Sequence, residues 1–190
     1  VTETTQAAPD TTRNAEDVGV EEARAAWVAE ARLYLVEVAR SYRSVVTHKE
    51  LAAAVQERSG IHTDRRVHYW IDGVLADVGR DSAARDEPLI SALCVNREGS
   101  VGSAYAGLVL ELTGEEPADP DDHAARQRLE CHRFFEAADL PDGGGTAALV
   151  PQLANTRARL KKAAAEARPV QTCPTCYMEL LPTGLCDTCD

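Results

Sequence analysis

Four cysteines close to the carboxyl end, Cys173, Cys176, Cys186 and Cys189, form two C-x-x-C pairs separated by nine residues. Each pair sets two thiolates on one tight turn, and a hairpin through Met178–Gly184 can bring the turns together as four tetrahedral sulfur ligands. One structural Zn2+ is the expected occupant, although iron would accept the same ligand set and the sequence leaves that choice open. Four sulfurs close the coordination shell, so no position remains for a substrate. The segment is too small to fold on apolar burial, and metal binding would supply its folding free energy. Disulfide pairing is the competing use of these residues.

This tail resembles the short zinc ribbons appended to many cytoplasmic proteins. It has no Lys or Arg between Val170 and Asp190, while Glu179, Asp187 and Asp190 add to the negative charge of a four-thiolate centre. Contact with phosphates is therefore not expected of it. A protein partner, met through Tyr177, Met178, Leu180 and Leu181, fits better.

The other reactive side chains lack a supporting context. Cys131-His132-Arg133 lies in a predicted helix before Phe134-Phe135, and His123 is badly spaced to join it as a metal ligand. There is no phosphate-binding glycine loop and no Ser/His/Asp arrangement, so no enzymatic activity is expected.

The elements that would position a binding surface lie between Val45 and Gly102. Thr47 stands three residues before Glu50 in a capping-box pattern, with Val46 and Leu51 as a hydrophobic staple. Leu51, Ala54 and Val55 give an apolar face, and Gly60 can end the helix in a left-handed conformation. After a short corner, a second helix is predicted from about Asp64, with Val67, Trp70, Ile71, Val74, Leu75 and Val78 as its buried stripe. Its other face would carry Arg65, Tyr69, Asp72 and Ala76, flanked by Arg66 and His68, where a recognition helix makes its contacts. Pro88–Arg97 reads as a mostly buried strand, and Gly99 and Gly102 as the turn of a wing.

Thr47-His48-Lys49-Glu50-Leu51-Ala52, Ile71–Leu75 and Pro88–Gly99 together resemble the winged-helix DNA-binding half of alkylguanine-DNA alkyltransferases and their alkyltransferase-like relatives. Those proteins carry V-T-Y-x-E-L-A on the first helix and P-C-H-R-V-V-x-x-D-G around the nucleophile. Counting back from Gly99, the family Cys falls on Ser91, the His on Ala92 and the Arg on Leu93, and Cys94 aligns with a strand valine. The family Tyr is His48 here, and its arginine finger falls near Tyr69. The resemblance covers about a third of the chain and implies DNA binding without alkyl transfer, because a thiolate needs an adjacent base or cation. Arg43, His48, Lys49, Arg65, Arg66 and Tyr69 are the expected nucleic-acid contacts.

Composition limits these readings. The formal net charge of -11 opposes DNA affinity, which comes largely from phosphate neutralisation. The acids concentrate in the first 22 residues and in Glu111–Asp122, however, whereas Arg40–Arg80 holds seven Lys and Arg against five Asp and Glu. No apolar run approaches the length of a membrane span, and cytoplasmic residence without membrane association is expected.

The expected fold is mainly α with a small β wing: a winged helix-turn-helix plus a carboxyl-terminal four-cysteine zinc ribbon. Residues 1–18 read as a disordered leader, 19–140 as the helical winged-helix domain, 141–169 as a Gly-rich linker and basic helix, and 170–190 as the ribbon. Val20–Tyr42 is predicted as one long amphipathic helix that buttresses the winged helix or meets a partner or a second copy of the chain. Ser103–Leu112 and His123–Ala138 are predicted helices on either side of a solvated acidic loop, Glu115–Asp122. The leading expectation is a non-enzymatic DNA-binding protein whose ribbon contacts a partner. The other is a protein-protein adaptor with an acidic surface and no nucleic-acid binding.

Overall fold

The computed structural model describes residues 13–166, 172–178, 180 and 184–189. The protein is mainly helical, with four two-residue strands among the described residues. Two compact units divide the chain, 1–153 and 154–190.

Helix α2 (Val20–Ala39) is the spine of the first unit. Ala23, Trp27, Ala31, Leu35 and Ala39 recur every four residues and are all buried, and the alanines let neighbouring helices approach closely. Against this stripe pack Leu51 and Val55 of α3 (His48–Ser59) and Ile71, Val74 and Val78 of α4 (Ile71–Ala84). A second cluster joins Ala92 and Val95 to Tyr105 and Val109 of α5 (Gly102–Thr113) and Ala124 of α6 (Pro120–Phe134). Where α4 meets α5 there is no room for a side chain: a Cβ on Gly79 would lie 2.3 Å from Leu108 Cδ2.

The predicted start and end of α3 are both present. Thr47 Oγ1 accepts from the Glu50 N–H at 3.3 Å, and the Glu50 carboxylate accepts from the Thr47 N–H at 2.8 Å. Gly60 ends the helix with φ 65°, the left-handed conformation that a Cβ disfavours.

Several expectations are corrected. Residues 13–18 are not a disordered leader: β1 (Arg13–Asn14) pairs in parallel with β3 (Ile61–His62), and Asn14 caps the short α1 (Ala15–Val18). Residues 1–12 of that leader, and Leu181 of the tail, lie outside the described residues. The recognition helix does not begin at Asp64. Arg66 is extended (ψ 137°), Val67–Tyr69 forms one 3-10 turn, and α4 starts at Ile71. A spacing of three from Val67 to Trp70 suits a 3-10 turn as well as an α-helix, and the Trp70 ring stacks on Trp27 with centroids 4.5 Å apart.

Pro88–Arg97 is not one strand. A 3-10 turn, Ile90–Leu93, leads into β4 (Cys94–Val95), because an unbroken buried run carries no period by which strand and turn could be told apart. Strand β4 pairs in parallel with β2 (Val46–Thr47). No antiparallel wing hairpin follows among the described residues. Its place is taken by a tight loop in which Asn96 N donates to Ser100 O at 2.7 Å and Asn96 Oδ1 accepts from the N–H groups of Glu98 and Ser100.

The expected acidic loop is partly helix. Asp119 caps α6, Pro120 occupies its first turn and Asp121 and Asp122 follow, the chemistry of a helix start. The expected boundary after residue 140 also moves. Tyr42 Oη accepts from the Thr146 N–H at 2.9 Å and Arg133 Nε donates to Gly144 O at 2.8 Å, so this segment belongs to the first unit. Within the expected linker and basic helix of residues 141–169, the helix α7 runs Pro151–Glu166.

Candidate functional site

The tail brings the four cysteines together. Their sulfur atoms all lie within 4.8 Å of one another, with Cys173 to Cys189 at 4.0 Å and Cys176 to Cys186 at 3.4 Å. A tetrahedral ion with metal–sulfur bonds of about 2.3 Å would need sulfurs separated by roughly 3.8 Å. The donor set therefore fits a metal ion, and all four cysteines are free of disulfides.

Local backbone geometry explains the fit. In the first turn Tyr177 N donates to Cys173 O at 2.9 Å and Cys173 N donates to Met178 O at 2.8 Å, which requires the left-handed conformation that Tyr177 adopts (φ 59°). The N–H groups of Cys176 and Thr175 pull the Cys173 thiol down to about 6. Crowding by the Cys176 and Cys186 sulfurs pushes Cys189 up to about 12. Four sulfurs this close cannot all ionise without a cation among them. Tyr177 and Met178, expected at a partner surface, are exposed.

In the first unit the expected nucleic-acid contacts fall into three places. His48 and Lys49, at the start of α3, line a shallow groove with Thr47, Val67, His68, Asn96 and Arg97. His68 was expected to flank the contact face, but Asn96 and Arg97 were not expected there, since the chain folds three separate segments onto one groove. Imidazole Nε2 of His48 is buried with no partner, and burial lowers the pKa of the ring despite the nearby Asp72. Arg65, Arg66 and Tyr69 are exposed in the segment that precedes α4, not on the helix itself. Arg43 stands apart: its N–H donates to His132 Nε2 at 3.1 Å, its guanidinium reaches Thr146 Oγ1, and its backbone is left-handed (φ 64°).

The charges divide unevenly. Arg24, Arg32, Arg58, Arg80, Arg85 and Arg133 each hold a carboxylate within 3.0 Å. Lys49, Arg65 and Arg66 have no ion pair among the described residues, and Arg97 only a loose one to Glu98 at 3.9 Å. Arg40, Arg43, Arg126 and Arg128 also lack one, and of all these cations only Lys49 and Arg97 line the groove.

Ser91, where the resemblance places the nucleophile, is 3% exposed, and its Oγ has no partner. It borders a cavity of about 20 Å3 with Asp72, Cys94, Tyr105 and Leu108, room for a water and not for a nucleobase. Burial raises the Cys94 thiol far above its ordinary range and pushes Cys131 up to about 12, so both are held as unreactive thiols. His132 is fixed as the neutral ring: Nδ1 lies 2.8 Å from Ala39 O, and Nε2 accepts from Arg43.

No family model, curated protein or solved structure matches the chain. No helix among the described residues is long and apolar enough to cross a membrane.

Proposed function

We propose that the first unit binds DNA through the groove at the start of α3 and the basic segment Arg65–Tyr69, and that the cysteine tail is a zinc ribbon holding one structural Zn2+. The observation that carries the DNA reading is the contrast in ion pairing. Cations on the α2 and α4 faces are neutralised by carboxylates, whereas Lys49 and Arg97 at the groove and Arg65 and Arg66 in the exposed segment ahead of α4 are left available to phosphates. The order β2, α3, turn, α4, β4 supports a winged-helix kinship with the alkyltransferase-like proteins for this part of the chain alone. Contact would come from the segment ahead of α4 more than from its first turn, where Asp72 is exposed.

Fluorescence anisotropy with a labelled duplex tests this. Replacing both Arg65 and Arg66 by Ala should weaken binding about equally for all sequences and lower the salt slope by roughly 2. Unchanged affinity in the double variant removes the assignment. A second reading, a protein-protein adaptor, is favoured by the net charge of -11. Lack of binding to duplex, single strand or RNA at low salt would select it. The role of the ribbon in either reading is partner contact through Tyr177 and Met178, both exposed apolar side chains.

A further inference from the structure

A second cavity adjoins the basic segment and shares Arg65 and Tyr69 with it. It measures about 320 Å3 and lies among α1, the first turns of α2 and the segment leading into α4, within the size range of small-molecule sites. Trp27, Trp70 and Tyr69 give it aromatic walls, and Arg24, Arg65 and Glu16 are its charged lining residues. The two indoles are held differently. Trp27 Nε1 donates to Ile61 O at 2.9 Å, whereas Trp70 Nε1 is buried without an acceptor among the described residues. A buried N–H left unpaired is costly, which favours any occupant that supplies an oxygen.

The cations differ in the same way. Arg24 is fully engaged, with Nε 2.6 Å from Asp77 Oδ2 and a terminal nitrogen 3.0 Å from Gly73 O. Arg65 has no ion pair among the described residues. Glu16, also lining the cavity, has no ion pair among the described residues either, so the unsatisfied groups are two donors, the Trp70 N–H and the Arg65 guanidinium, against one carboxylate, beside flat apolar walls.

We propose that this cavity binds a small aromatic carboxylate, its ring against Trp70 and Tyr69 and its carboxylate accepting from Arg65 and, with the Trp70 ring turned toward the space, from the indole N–H. The binding does not depend on the DNA reading. Coupling to DNA does, because Arg65 and Tyr69 belong to both surfaces, and an occupant that engages Arg65 would compete with phosphate for it.

The chain has two tryptophans and both line this cavity, so its fluorescence reports on this place alone. The full chain is titrated with benzoate, benzamide and benzyltrimethylammonium, following tryptophan emission and the two indole N–H resonances. Benzoate should give a saturable change and move the Trp70 N–H, benzamide should bind more weakly, and the cation should not bind. Arg65→Gln, an exposed substitution, should weaken benzoate about tenfold with an unchanged melting curve. No saturation by benzoate, equal binding by Arg65→Gln, or preference for the cation overturns the proposal. So does an indole shift on deleting residues 1–12 without benzoate, which would make the chain's own amino-terminal segment the occupant. Saturable benzoate binding in a protein that binds no duplex would leave the cavity standing and discard the DNA reading.

Discussion

The α2–α3–α4 region and the cysteine tail are held by different physics. In the first, aliphatic side chains at helical spacing meet on an alanine-lined spine, and Leu35, Leu51, Ile71 and Val78 are fully excluded from solvent. In the tail the buried residues among those described are Cys173 and Cys186, while Tyr177, Met178 and Leu185 face solvent. A fold that buries apolar surface depends on volume and shape, whereas one that gathers thiolates depends on an ion. The two should therefore fail under different insults.

The largest effect should come from the metal. Purified protein should contain one Zn2+ per chain by elemental analysis, and chelation or Cys176→Ser should abolish it. Structural zinc is worth about 10–16 kcal/mol in small finger peptides, so the tail should lose its protection from proteolysis while the main thermal transition of the first unit stays in place. A chain that keeps its tail resistant without metal would erase the contrast.

Leu35→Ala reverses the pattern. Removing a fully buried side chain from the spine should cost about 2–5 kcal/mol and lower the melting temperature by many degrees, with zinc content unchanged. Thr47→Ala removes the cap that Glu50 reciprocates and should cost about 1 kcal/mol in the same denaturation curve. If it were neutral, α3 would be held by packing alone.

The smallest and most graded effect is that of pH on the first unit. Burial lowers the pKa of His48, His123 and His132 in the folded chain. Unfolded histidines take up protons near 6.5, whereas these three do so only at lower pH. Their contribution to stability is thus complete above about 6.5 and is lost progressively as the pH falls below it. A melting temperature that held constant or rose from pH 7 to pH 5.5 would contradict this, and His132, whose Nε2 accepts from Arg43, should show the effect most clearly by NMR titration.

Local chemistry was legible wherever a motif closes on itself. The capping box of α3, its left-handed Gly60 and the paired C-x-x-C turns involve neighbours in sequence, and each reads correctly from residue types and spacing. Short elements were not legible: β1 and α1 are too brief to show a period, and Asp119-Pro120-Asp121-Asp122 serves as a helix start as readily as a loop. The site was half legible. His48, Lys49, Arg65 and Arg66 could be singled out as polar residues near a helix-turn-helix, but their separation into a groove and an exposed segment, and the placement of Arg43 apart from them beside Thr146, could not.

Amino-acid order alone determined a mainly helical protein with a four-sulfur tail, because helical periods and ligand spacings are properties of a few consecutive residues. Tertiary structure alone decided where α4 begins, that Pro88–Arg97 turns before it pairs, and that Ser91 borders a space for one water. Those outcomes rest on contacts between residues far apart in sequence, such as Trp27 on Trp70 and Gly79 against Leu108, whose energies no local pattern encodes.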